Sequence, residues 1–103
     1  MFLMSPTGKI VPIITVDLYK IKFRHNGTSF IIYIDFIIEA FKYFRGKGKV
    51  TVNMVEEFRD KIYKGKQPRA HCNYMFFLMI ISKLFKIPFK GSGVRGDPFY
   101  IEM

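Results

Sequence analysis

The spacing of apolar and polar positions changes period along the chain. Tyr19, Ile21 and Phe23 alternate with Lys20, Lys22 and Arg24. A period of two sends neighbouring side chains to opposite faces, so this stretch predicts a strand with one apolar and one basic face. β-Branched residues extend the strand back to give residues 10–23. Residues 30–34, Phe-Ile-Ile-Tyr-Ile, predict a second, more buried strand. The two are joined through Asn26-Gly27, a pair that tolerates positive φ at both central positions of a type I′ turn, so a hairpin is expected. Residues 1–9 read as a loop turning at Ser5-Pro6-Thr7-Gly8.

From residue 35 the period becomes helical. Asp35 is placed as the N-cap of a helix over 36–45, with Ile37, Ala40, Phe41 and Phe44 on one side. Arg45 suits its negative end and Gly46 the left-handed position beyond it. A basic loop, 46–49, leads to a short extended segment, 50–52. Asn53 is placed as the cap of a second helix, to Tyr63, with Glu56 reaching back to the cap and Val55, Phe58 and Ile62 forming its core stripe. Lys61 and Lys64 fall in its last turn, and Gly65 closes it. Pro68 is expected to open a third helix over 68–85, since its fixed φ fits the first turn. Residues 74–85 are apolar on most sides, which predicts a helix wrapped by other elements or shared with a second subunit. The tail predicts two short strands around the Gly-rich loop 91–98, with Pro88 confining the first strand to an edge.

The expected fold is therefore a single small α+β domain: an N-terminal β-hairpin (1–34), then three helices and a C-terminal β-hairpin (35–103). Its 103 residues fit one domain, and 50% hydrophobic with 24% charged residues is globular composition. Twelve Phe and six Tyr supply large side chains for a small core. Cys72 is the single cysteine, which excludes an intrachain disulfide and a Cys-rich zinc site, and it reads as a small buried hydrophobe. The start lacks a signal-peptide pattern, and the longest uncharged apolar run, 74–81, is far short of the roughly 20 residues of a membrane span. No membrane association is expected, and the reducing cytosol is the expected location.

Charge adds a partner. Seventeen Lys and Arg against eight Asp and Glu give +9, an excess that favours an anionic partner such as nucleic acid. Residues 1–40 carry four bases and three acids, and residues 41–103 the other thirteen and five, so the anion-binding surface is expected in the later part. Enzyme chemistry finds no support. His25 and His71 stand far apart, and Glu56 with Asp60 reads as solvated helix surface beside Arg59 and Lys61. No catalytic residue, metal, cofactor or small-molecule ligand is expected.

From residue 35 the order of helix, short strand, helix, basic turn, helix, strand, loop and strand resembles a winged helix-turn-helix. The carrying residues are 53–63 as positioning helix, Gly65-Lys66-Gln67-Pro68 as turn, 69–85 as recognition helix and 90–97 as wing. The N-terminal hairpin is an addition to that pattern, and the third helix is more apolar than a typical recognition helix. The resemblance implies double-stranded DNA binding and a role in transcription regulation. Arg69, His71 and Asn73 would meet base edges, because Arg suits guanine and Asn suits adenine by bidentate geometry. Lys66 and Gln67 would meet phosphates. Lys90, Ser92 and Arg95 of the wing would follow the backbone or enter the minor groove. A homodimer on a palindromic site is expected, pairing through an apolar edge strand at residues 10–16. The composition, rich in Ile, Lys, Phe and Tyr, resembles that of small proteins from viruses of hyperthermophilic archaea, for which the location would be the host cytoplasm. The competing expectation is a protein-interaction or structural role without nucleic acid.

Overall fold

The computed structural model describes residues 2–103 as a small α+β domain with three helices and two sheets. Four antiparallel strands, β1 (Phe2–Met4), β2 (Ile10–Val16), β3 (Lys20–His25) and β4 (Thr28–Tyr33), pair in chain order. The β3–β4 turn is as expected, with Asn26 and Gly27 at φ of +51° and +78° between the paired His25 and Thr28.

Two expectations fail here. Residues 10–23 are two strands, because Asp17 folds a second turn. Its Oδ1 accepts the N–H groups of Tyr19 (2.7 Å) and Lys20 (2.9 Å), and its own N–H donates to the Lys20 carbonyl at 3.1 Å. The Tyr19 and Lys20 bonds hold the Asp17 carboxyl below the usual carboxylate range. The first nine residues are also more than a loop. Leu3 is buried, and β1 pairs Phe2, Leu3 and Met4 with Pro12, Val11 and Ile10. The expected hairpin is thus a four-stranded sheet. β2 is not a free edge strand: Ile10, Val11 and Pro12 pair with β1, and Ile13, Thr15 and Val16 pair with β3.

The second sheet joins β5 (Lys49–Thr51) to β6 (Tyr100–Glu102) in antiparallel register. The last strand pairs mainly with the segment between the first two helices. The expected C-terminal hairpin is reduced to single bridges at Lys90↔Tyr100 and Val94↔Asp97.

All three helices form, with shifted starts. Helix α1 (Ile34–Phe44) begins after Tyr33, so Asp35 lies in the first turn and is not the cap. A carboxylate is favourable there against the helix dipole, and Asp35 Oδ2 accepts a bond from the Tyr63 hydroxyl at 2.7 Å. The far end follows expectation, with Arg45 as C-cap and Gly46 at φ +80°. Helix α2 (Val52–Lys61) is capped by Thr51, whose Oγ1 accepts the Met54 N–H at 3.3 Å, and Asn53 is already helical. Val55 and Phe58 enter the core while Ile62 is exposed. Gly65 does not close this helix, which ends at Lys61 with Ile62 as its C-cap. A Cβ at Gly65 would press on the Tyr63 phenol, so the glycine leaves room for that ring.

Helix α3 (His71–Phe85) starts three residues after Pro68, with extended Ala70 as its N-cap. The reason is a long-range contact. The Gln67 side chain holds the connection against the outer edge of β4, accepting the Tyr33 N–H at 2.9 Å and donating to the Ile31 carbonyl at 3.0 Å. From there α3 runs through the centre of the molecule, and every residue from Phe76 to Ile81 is buried. Phe76 meets Phe23 and Phe30 of the sheet, and Phe77 meets Phe36 of α1. The stretch 76–81 is therefore wrapped within this chain, whereas Leu84 and Phe85 at the end of the apolar half are exposed. Cys72 is half-buried against the core. Among the described residues, no helix is long and apolar enough to cross a membrane.

Candidate nucleic-acid interface

The eight residues expected at the interface have different fates. Gln67 and Asn73 are 3% and 1% exposed and are withdrawn as contacts. The Gln67 amide is committed to β4, and its main-chain carbonyl accepts bonds from Arg59 Nε (3.0 Å) and Nη2 (2.7 Å). Asn73 Nδ2 donates inward to the Pro68 carbonyl at 3.2 Å, and Oδ1 is buried without a protein partner. Neither side chain reaches a base or a phosphate in this conformation.

The other six are on the surface, in more than one place. Lys66 and Arg69 lie on the α2–α3 connection, where Arg69 pairs with Asp60 of α2 at 3.0 Å. Lys90 pairs across the strands with Glu102 at 3.3 Å. His71 is exposed in the first turn of α3. Ser92 and Arg95 belong to the exposed loop 91–98. This loop is folded by bonds from Ser92 N–H to Asp97 Oδ2 (3.1 Å) and from Asp97 N–H to the Val94 carbonyl (2.9 Å), with Arg95 inside the Val94–Asp97 turn.

Around His71 the structure forms two adjoining clefts of about 210 and 450 Å³, which share Met75 of α3 and Phe99 as walls. The smaller lies between Thr51 and Asn53 at the start of α2, His71, and Gly93 with Pro98 of the loop. The larger is bounded by the β1–β2 turn, including Ser5, Thr7 and Lys9, and by Arg24, His25 and Asn26 at the β3–β4 turn. In a four-stranded meander these two turns lie at the same end of the sheet. The His25 ring meets Phe76 edge-on at 6.1 Å, which ties that turn to α3.

No carboxylate lines either cleft, whereas Lys9, Arg24, His25 and His71 do. Five of the eight acids, Asp35, Glu39, Glu56, Glu57 and Asp60, lie on α1 and α2. A further cleft of about 520 Å³ contains Asp35 and Glu39 but also Lys42 and Lys64, so its charges balance. The first turn of α3 has neither an acidic residue nor a side-chain cap, so the positive end of the helix dipole adds to the bases beside it.

Lys9, Arg24, His25 and Asn26 escape the sequence reading because charge counted along the chain assigns them to its less basic part. One signal was present: Lys9 and Arg24 each flank a Gly-containing turn. It becomes useful only when residues 2–4 are known to form a strand, which brings the two turns to one end of the sheet.

Among the described residues, no group of three or more His, Cys, Asp or Glu side chains is placed to hold a metal ion. Comparison of the chain with family models, with curated proteins and with solved structures gives no match.

Proposed function

We propose that the protein binds double-stranded DNA through the end of the domain where α3 begins, in a winged-helix-like manner modified by the added sheet. Regulation of transcription is the role such binding would serve. The observation that carries the reading is the pair of adjoining carboxylate-free clefts, the larger lined by Lys9, Arg24 and His25 of the sheet turns and the smaller by His71 and the loop 91–98. The chain order α1–β5–α2–α3–loop–β6, with β5 paired to β6, supports it as the order of a winged module.

The burial of α3 changes the mode of binding. A helix reads bases by entering the major groove, about 12 Å wide, with a protruding face. Here the middle of α3 is buried, and of its first turn only His71 is exposed, on the wall of the smaller cleft. Lys9 and Arg24 line the larger cleft and His71 the smaller, and Arg95 is exposed on the loop whose Gly93 and Pro98 line the smaller one, so these four are the proposed contacts to the phosphate backbone.

Anisotropy titration of a labelled duplex at low ionic strength tests this. The logarithm of affinity falls with the logarithm of salt at a slope of about −3, for about three phosphates neutralised. Arg24→Glu and Arg95→Glu each weaken binding about tenfold or more. Arg69→Ala costs less, because Asp60 already engages Arg69, and Lys61→Glu, on the acidic α2 surface, costs little. Absence of binding at low salt, or equal losses from Arg24→Glu and Lys61→Glu, would overturn the reading.

The proposed assembly is a homodimer joined at the β2–β3 hairpin. β1 pairs with β2 only as far as Pro12, and Ile14, Val16, Leu18 and Tyr19 beyond it are exposed. Leu18 and Tyr19, at 86% and 74%, are the most exposed large apolar side chains among the described residues. An open strand stretch beside exposed apolar residues is an association site. Sedimentation at micromolar concentration should give twice the 12.2 kDa chain mass, and Leu18→Lys with Tyr19→Lys should return the monomer. A single 12.2 kDa species for the unmodified protein removes the dimer.

A further inference from the structure

A second surface lies apart from the basic cleft. The C-terminal parts of α1 and α3 enclose a groove of about 300 Å³, with Ile38, Phe41, Leu84 and Phe85 among its walls. Ile38, Leu84 and Phe85 are 45%, 67% and 51% exposed. The Phe41 and Phe85 rings stack at 4.9 Å with an angle of 1° between their planes, which gives the groove a preformed aromatic wall. Its only charged lining residues are Lys42 and Arg45.

We infer that this groove docks an acidic amphipathic helix from a partner protein. Apolar side chains one helical turn apart on the partner would enter the groove, as in helix-in-groove recognition, while carboxylates flanking them would meet Lys42 and Arg45. The charge complementarity selects this occupant. A second copy about a two-fold axis would bring Lys42 and Arg45 towards another basic surface, in a chain of net charge +9. A concave apolar floor with a basic edge also fits a single inserted segment better than a flat lipid surface. DNA offers the negative charge but no apolar anchors for the Phe41–Phe85 wall.

The chain contains no Trp, so Phe85→Trp in the full protein supplies a single fluorescent reporter at the groove. The probe is a synthetic helix with Leu at i, i+3 and i+7 and Glu on its other face. A matched peptide carrying Lys for Glu, a scrambled acidic peptide and vesicles of phosphatidylcholine with phosphatidylserine are the comparisons. The acidic helix should shift the Trp emission to the blue and bind about tenfold or more tightly than the Lys and scrambled peptides. Leu84→Ser and Arg45→Glu, introduced separately into the reporter protein, should each weaken it by a similar factor. Leu84 is exposed, so circular dichroism of Leu84→Ser should match the parent, and its DNA titration should be unchanged. The inference is overturned if the acidic helix does not bind at about 1 mM, if the Lys or scrambled peptide binds equally, or if vesicles shift the emission and the helix does not. Self-association of the full chain that Leu84→Ser abolishes would also overturn it, by identifying a second copy as the occupant.

Discussion

Gln67 acts as a piece of β-strand. Its amide offers β4 one acceptor and one donor, at Tyr33 N–H and Ile31 C=O, much as a neighbouring peptide group would. Sheet edges require such protection because unpaired backbone groups recruit other chains, and a buried unpaired group costs about 1–3 kcal/mol. Gln67→Ala removes both bonds in a 3% exposed position, so a loss of about 2–4 kcal/mol is expected in urea denaturation. Gln67→Glu should recover only part of this, since a carboxylate accepts from Tyr33 but repels the Ile31 carbonyl. A change below about 0.5 kcal/mol for Gln67→Ala would show that water replaces the amide without penalty. Asn73, two residues into α3, is also turned inward, which is why residue type alone misassigned both.

At the scale of elements, the contact between the start of α1 and the end of α2 depends on Tyr63. Its hydroxyl donates to Asp35, its ring packs edge-on to Phe36 at 5.2 Å, and Gly65 leaves room for it. Burial, then the bond to Asp35 and its charge, raise the Tyr63 phenol above its ordinary value of 10.0. The sign follows from proton counting. Above about pH 10 the unfolded chain releases the phenol proton while the folded chain keeps it, so stability is full below that pH and falls as pH rises further. Burial raises Tyr74 in the same direction, so the fall has two sources. Urea midpoints between about pH 8 and about pH 11 should drop more steeply for the parent than for Tyr63→Phe. Parallel curves would remove Tyr63 from the account. The helices themselves were legible, because their apolar spacing is a local pattern. Their starts were not: Thr51 took the cap expected of Asn53, and pairing of Gln67 to β4 left residues 68–70 extended.

On the whole-molecule scale, charge has two opposed consequences. Five of the seventeen Lys and Arg, namely Lys42, Arg59, Lys61, Arg69 and Lys90, form ion pairs among the described residues. The excess of bases leaves net repulsion across the domain, which salt screens as the Debye length falls from about 30 Å at 10 mM to about 8 Å at 150 mM. Over that range the melting temperature should rise by about 2–5 °C while affinity for duplex DNA falls. A melting temperature that drops with salt would show that the ion pairs outweigh the repulsion. The net charge was readable by counting, but its placement was not. Counting along the chain pointed to residues 41–103, whereas the cleft draws Lys9 and Arg24 from the first 25 residues.

By itself, the sequence determined the α+β class, the three helices, the Asn26-Gly27 turn and the basic face of β3. Each depends on periodicity or turn chemistry acting over a few residues. Tertiary structure decided the pairing of β1, the central burial of α3, the inward commitment of Gln67 and Asn73, and the union of two sheet turns with the loop 91–98. The physical reason is separation along the chain. Gln67 finds its partners 34 and 36 residues away. A polar residue facing solvent and one completing a distant sheet edge look alike until the chain has folded, and a cleft exists only where distant segments meet.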